Sequence, residues 1–420
     1  MSDFENAPQG LDPHGSTSGR KELEGVIRRL LAYCQESGWA GHDPYDALNS
    51  RLFKTVPFLN SRWPRLALTQ LMRRSPINMR ALALVPKTQN PKAMALFLQA
   101  LVRLPEQLPE NREELIRYMI GRLAELRSTG SSHFCWGYSF PWQGRTIYVP
   151  ADAPNVVCTT FVAEALLDAY AWREEQACLD MALSAGEYIV NDLYWDDGRR
   201  VGFSYPVPGL RGETHNANLL AAALLCRLYK VTGREEFRDP ALRVARQAVG
   251  RQQADGSWFY GEAPSQRWID NFHSGYNLGA LRSIGLSLGT SEFEESVRRG
   301  YEFYTTHFFR EDAAPKYFHD RVYPIDIHCV AQSILTLLEF QDLDAGSRQK
   351  AQAVLSWAMK HMWDERGGYF YYRVLRRGKI RTSYLRWSQA WMLLALATAL
   401  ATTEAKQRKG AACGALVNAS

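Results

Sequence analysis

The chain alternates two kinds of helix-forming run. One kind is amphipathic with a charged face: residues 174–190, 235–252, 292–308 and 347–362. The other is apolar nearly all round, as at 219–228 and 334–340. A helix with a polar stripe meets solvent on one side, whereas a helix without one is enclosed. The charged run is therefore predicted to be the outer member of a pair and the apolar run the inner member. Three of the charged runs lead into turn signals, Asp196-Asp197-Gly198, Asp255-Gly256 and Arg366-Gly367-Gly368. A short aromatic stretch such as Trp258-Phe259-Tyr260 follows, and then the next inner run.

The inner runs open at Thr159, Thr214, Asn271, Asp326 and Leu385, in steps of 55, 57, 55 and 59 residues. A period of that length holds two helices and two connections. The expected fold is all-α, an (α/α) toroid of helical hairpins with aromatic loops at one rim. The regular pattern covers 128–402. Residues 21–127 are helical but irregular, with runs at 23–34, 63–71, 93–104 and 113–126, and residues 1–20 and 403–420 read as disordered tails. The pattern leaves open whether 21–127 closes the ring or covers its mouth. Residues 131–142, aromatic and broken by glycine, are expected to form a loop.

Bulk composition narrows the classes. A net charge of +6 over 420 residues, with no long Lys/Arg run, argues against nucleic acid as a partner. No apolar stretch reaches the length of a membrane span, and the polar N-terminus lacks the apolar core of a secretion signal. Seven scattered cysteines without a C-x-x-C pair fit a reducing compartment, so a cytoplasmic protein without a cofactor is expected. Twelve tryptophans and 20 tyrosines are many, and such rings stack on sugar faces as well as filling cores.

Candidate chemistry collects where the inner runs open, because equivalent positions of a closed repeat converge. Asp270 and Asp326 are the carboxylates at two such openings. Glycosidic cleavage uses two carboxylates flanking the scissile oxygen, although Asp is equally a preferred helix cap. His215, His273 and His328 lie in the first turns of three successive inner runs, where the helix dipole favours neutral imidazole. With Asn216, Asn218, Tyr276, Asn277 and Tyr323 they suit a second chemistry, proton abstraction beside a sugar carboxylate, with Arg267, Arg321 and Arg386 as its clamps. Trp136, Tyr138, Trp142, Trp258, Tyr260 and Trp387 are the expected stacking walls, whereas Trp391, four residues after Trp387, is expected in the core. No metal is expected, since the histidines lack ligand spacing within a helix. Phosphate loops and the Asp-rich strings of isoprenoid enzymes are missing.

The strings Pro154-Asn-Val-Val157, His215-Asn-Ala-Asn-Leu-Leu220, Asp255-Gly-Ser-Trp258, Asp270-Asn-Phe-His-Ser-Gly-Tyr-Asn-Leu278 and Tyr323-Pro-Ile-Asp-Ile-His328 carry a resemblance. The chain resembles the six-hairpin glycosidase-like (α/α) toroids, and within them a group found with bacterial surface-polysaccharide biosynthesis genes. The resemblance implies a carbohydrate-active enzyme acting on a surface glycan or its precursor. Glycoside hydrolysis by Asp270 and Asp326 is the first expectation. A uronate lyase or C5-epimerase using His215, Asn216, His273 and Tyr276 is the second, and a non-catalytic glycan-binding or polysaccharide-assembly protein the third. A δ-aminolevulinate dehydratase label attached to some members finds no support in these residues, which lack a clustered cysteine metal site. The oligomeric state is not legible.

Overall fold

The structure, a computed structural model, describes residues 17–56, 59–144 and 147–417. Its helices are α1 (Thr17–Glu36), α2 (Arg51–Thr55), α3 (Arg62–Arg74), α4 (Pro91–Arg103), α5 (Arg112–Glu125), α6 (Val156–Arg173), α7 (Gln176–Tyr188), α8 (His215–Thr232), α9 (Glu235–Val249), α10 (Asn271–Leu288), α11 (Glu294–His307), α12 (Ile327–Glu339), α13 (Ser347–Met362) and α14 (Trp391–Val417). The expected tails at 1–16 and 418–420 lie outside the described residues, and helix occupies 17–20 and 403–417.

Helices α4, α6, α8, α10, α12 and α14 pack side by side in that order, and α14 returns to α4. They form a closed inner ring. Each has an outer partner: α5 on α4, α7 on α6, α9 on α8, α11 on α10, α13 on α12 and α1 on α14. The fold is thus an (α/α) toroid of six hairpins. The inner helices are buried almost all round, as in α4, where residues 91–101 are all buried. The sixth hairpin joins the two ends of the sequence, since Val26, Ile27, Leu30, Leu31 and Cys34 of α1 are buried in the same core as α14. Residues 37–56 and 59–90 lie between α1 and α4, and among them Asp43 and Tyr45 meet Arg386 and Trp387 just before α14 begins.

Local chemistry explains why those beginnings are well defined. Asn90, Asn155, Asp270 and Asp326 each cap an inner helix by accepting a backbone N–H with the side chain. At the other end Gly233 and Gly289 close α8 and α10 in the left-handed region, with φ of 71° and 64°. Between outer and inner helices the aromatic stretches pair as two- or three-residue hairpins, Tyr194–Asp196 with Val201–Phe203 and Trp363–Asp364 with Tyr369–Phe370. Cys34, Cys135, Cys158, Cys178, Cys226 and Cys329 are buried and unpaired. No helix among the described residues is long and apolar enough to cross a membrane.

Candidate active site

Asp270 and His273 form the centre. The Asp270 carboxylate caps α10 by accepting the His273 backbone N–H at 3.0 Å. Its other oxygen lies 2.7 Å from His273 Nδ1 and accepts the Trp268 indole N–H at 3.0 Å. Nδ1–H donation to the carboxylate fixes the tautomer and leaves Nε2 with a free lone pair. The His273 side chain remains 20% exposed while Asp270 is enclosed. Tyr260 covers the imidazole, its ring centroid 4.6 Å away, and is itself stacked on Trp268.

A second pair of titratable side chains joins α10 to α12. Tyr276 Oη lies 2.6 Å from His328 Nε2, and both residues are buried. Burial, with the cationic Lys92 and Arg386 nearby, holds the imidazole well below the usual histidine range, and burial raises the Tyr276 phenol well above its own. Neutral His328 therefore accepts the phenolic proton in a hydrogen bond. Trp387 and Trp391 flank the imidazole at centroid distances of 4.4 and 4.6 Å. His328 Nδ1 and the Oδ1 atoms of Asn216 and Asn277 are buried without a partner among the described residues.

Asp326 occupies the place in α12 that Asp270 occupies in α10, with a different environment. It is fully buried, accepts His328 N–H at 3.0 Å and the Trp387 indole at 2.8 Å, and takes Arg373 Nε at 2.6 Å on its other oxygen. Its lone pairs are committed to holding the loop of 363–380 and the start of α14 against α12. His215 likewise has an internal partner, Glu262 at 2.8 Å from Nε2, and burial lowers its pKa.

The remaining candidates divide by burial. Trp136 and Trp258 are enclosed, donating their indole N–H groups to the carbonyls of Leu123 and Ala248, so they are core residues rather than stacking walls. Trp391 lies in the core as expected and stacks on Tyr276, forming part of the floor. Asn218 accepts the Phe203 N–H and braces a hairpin. Tyr323 accepts from Arg310 at 3.3 Å, and Trp142 is half-buried in a short strand pair with Val149. Tyr138 and Tyr260 are half-buried, and Tyr138 lies beside Arg386.

None of the three arginines expected to clamp a uronate is free to do so. Arg386 is buried in a bidentate pair with Asp43, at 2.7 and 2.9 Å. Arg321 pairs with Asp320 and Arg267 donates to the Glu262 carbonyl, both at the surface.

Residues 37–90 bring in groups that pattern reading missed. Asp43 holds Arg386, Asp46 holds the buried Arg80 at 2.7 Å, and Arg73 donates to Tyr45 Oη at 3.0 Å. The Tyr45 ring meets Trp387 edge-on at 5.5 Å. Lys92, in the first turn of α4, is 3% exposed. Its sequence signal is a lone cation where an apolar helix begins, a position the helix dipole disfavours. No set of three His, Cys, Asp or Glu side chains among the described residues is arranged to hold a metal ion.

No protein-family model matches the chain, and no curated protein matches it in sequence. Solved structures do match. Cellobiose 2-epimerase from Bacillus thermoamylovorans is similar over 74% of this chain and 87% of its own, with 12% identity and a TM-score of 0.59. A glycoside hydrolase family 76 mannosidase from Bacteroides thetaiotaomicron is similar over 92% and 100%, with 12% identity and a TM-score of 0.58. An unsaturated glucuronyl hydrolase from Streptococcus agalactiae is similar over 94% and 96%, with 11% identity and a TM-score of 0.57. These likenesses show the fold alone, an (α/α) toroid of six helical hairpins.

Proposed function

We propose that the chain is a carbohydrate-active enzyme that moves a proton at a sugar carbon, as an epimerase or a lyase, with His273 as the base. The observation that carries this reading is the Asp270–His273 contact, 2.7 Å at Nδ1, which in the neutral imidazole assigns the proton to Nδ1 and the lone pair to Nε2, on a side chain that solvent still reaches. A base needs that combination of orientation and access. Tyr276, three residues after His273 on α10 and hydrogen-bonded to neutral His328 of α12, supplies a second proton carrier. Epimerisation requires two such groups, one removing a proton and one returning it, and elimination requires a base and a donor to the leaving oxygen. The epimerase among the structural neighbours supports the same reading by analogy of fold. The resemblance to the polysaccharide-biosynthesis group supports a surface-glycan unit as the substrate.

Hydrolysis by Asp270 and Asp326 fits the geometry less well. Asp326 is fully buried with Arg373, Trp387 and a backbone N–H on its two oxygens, so it has no access to a glycosidic oxygen. The test is mass spectrometry of neutral and uronate-containing oligosaccharides incubated with the enzyme in deuterated water. Expected is a non-exchangeable deuterium on the sugar, or a product pair jointly short of one water. Cleavage that incorporates heavy oxygen from labelled water, with no deuterium on carbon, would overturn the proposal in favour of hydrolysis. Binding without any chemical change would overturn it in favour of a glycan-binding protein.

A further inference from the structure

Lys92 is the least conventional residue at this end of the ring. Its ammonium lies 3.7 Å from the centroid of Phe161, 5.3 Å from Trp391 and 5.5 Å from Tyr276, so three aromatic faces surround it. Among the described residues its Nζ has no hydrogen-bond or ion-pair partner. Three buried arginines, by contrast, are matched with carboxylates: Arg386 with Asp43, Arg80 with Asp46 and Arg373 with Asp326. The carboxylates nearest this end of the ring are otherwise engaged: Asp270 on His273 and Trp268, Glu213 on Arg251 and Glu262 on His215. Arg73 adds a further cation without a carboxylate, held by Tyr45.

An aromatic cage stabilises a cation but does not neutralise it. Burial and the neighbouring Arg386 push the Lys92 pKa well below that of a free lysine, so the charged form is held at a cost. Aliphatic side chains would fill this position at the start of an apolar helix without that cost. The cage is also built into the proposed machinery, because Tyr276 is both one of its walls and the partner of His328. A buried amine without a partner beside a polar site is a receptor for a negative ligand.

We infer that Lys92 receives an anionic group of the substrate, so that the sugar handled here is an acidic one, bearing a carboxylate or a phosphate. The inference rests on the reading that this end of the ring is the active site. It adds the substrate class and the residue that selects it. With a carboxylate on the sugar, Lys92 would neutralise the charge that otherwise opposes removal of the adjacent proton by His273.

The experiment is titration of the full chain with glucuronate, glucose 6-phosphate and glucose, followed by tryptophan fluorescence, for the wild type and for Lys92→Met, Lys92→Arg and His273→Asn. The wild type is expected to bind one of the acids at least ~10-fold more tightly than glucose, with the preference falling as salt rises. Which acid wins identifies carboxylate or phosphate as the group. Lys92→Met should lose the preference and melt at the same or a higher temperature, and Lys92→Arg should keep part of it. His273→Asn should keep all of it, so a failure of the proton-transfer reading remains separable from a failure of this one. A wild type that binds neither acid better than glucose overturns the inference, as does a Lys92→Met protein that retains the preference. If Lys92→Met does not fold, the wild-type and Lys92→Arg titrations decide alone: a preference absent from the wild type, or undiminished by the bulkier arginine in so tight a cage, counts against it.

Discussion

Asp326 holds Arg373 at 2.6 Å inside the protein, and the two residues are 47 positions apart in the chain. The contact ties the strand of Arg373–Val374 to the start of α12, and the Trp387 indole on the same carboxylate ties in the turn before α14. Asp326→Asn keeps a helix cap but leaves the arginine charge enclosed and unpaired. The expected loss is about 3–5 kcal/mol, read as a lowered denaturation midpoint, and Asp326→Asn combined with Arg373→Met should recover part of it. A loss of activity at unchanged stability would instead point to a chemical role for Asp326.

Asp270→Asn should separate from Asp326→Asn in its phenotype. Asparagine caps helices as well as aspartate does, but its amide nitrogen cannot accept the Trp268 indole N–H, so the loss should be about 1–3 kcal/mol, below that of Asp326→Asn. The imidazole, however, loses the carboxylate that fixes its tautomer, and turnover should fall by ~100-fold or more. Equal destabilisation of the two variants would show that both carboxylates are structural.

Those two aspartates mark where pattern reading stopped. Both were visible as cap residues at repeat-equivalent openings, because capping is local and recurs with the period. Their different environments come from Trp268, two residues from Asp270, and from Arg373 and Trp387, 47 and 61 residues from Asp326. The ring itself was legible, since a stripe of charge marks an outer helix and its absence an inner one. The closing hairpin was not, because α1 and α14 stand at opposite ends of the sequence and no period links them. The same separation hid the pairing of Asp43 with Arg386, 343 residues apart, and with it the fact that Arg386 is already occupied.

Tyr276→Phe should be more informative than removal of His328. It deletes one oxygen, leaves the stacking on Trp391 intact, and strands His328 Nε2 without its donor. A stability change of about 1–3 kcal/mol is expected from the unsatisfied nitrogen. If Tyr276 carries a proton in the reaction, deuterium incorporation at the sugar carbon should drop by ~100-fold or more while substrate affinity holds. Undiminished exchange in Tyr276→Phe would remove Tyr276 from the mechanism and leave His273 as the sole carrier.

The buried histidines set a direction for acid stability. Burial lowers the folded-state pKa of both His328 and His215, and both groups protonate in the unfolded chain near the ordinary value of ~6.5. Below that pH the unfolded state binds more protons than the folded state, so stability rises with pH. Their contribution is present in full above ~6.5 and is lost as pH falls from there towards the lowered folded values. Chemical denaturation across pH 5–8 should show this slope, and His328→Gln should flatten it by one proton's worth. An unchanged slope in that variant would mean that His328 is charged in the folded protein and that its bond to Tyr276 runs the other way.

The closing hairpin makes a claim about how the chain holds together. Leu30 of α1 and Leu225 of α8 are both fully buried in one continuous core, although α1 lies outside the regular repeat. If α1 is an integral sixth outer helix, Leu30→Ala should cost about 2–5 kcal/mol, as Leu225→Ala should, and both should leave a single cooperative transition. The consequence for the site is specific. Residues 37–90 hang between α1 and α4, so loosening α1 should also loosen Asp43 from Arg386 and Tyr45 from Trp387. Hydrogen exchange on Leu30→Ala should then accelerate at the start of α14 as well as in α1. Faster exchange in α1 alone, with the Arg386 segment still protected, would show that Asp43 and Tyr45 are anchored independently of the helix that precedes them.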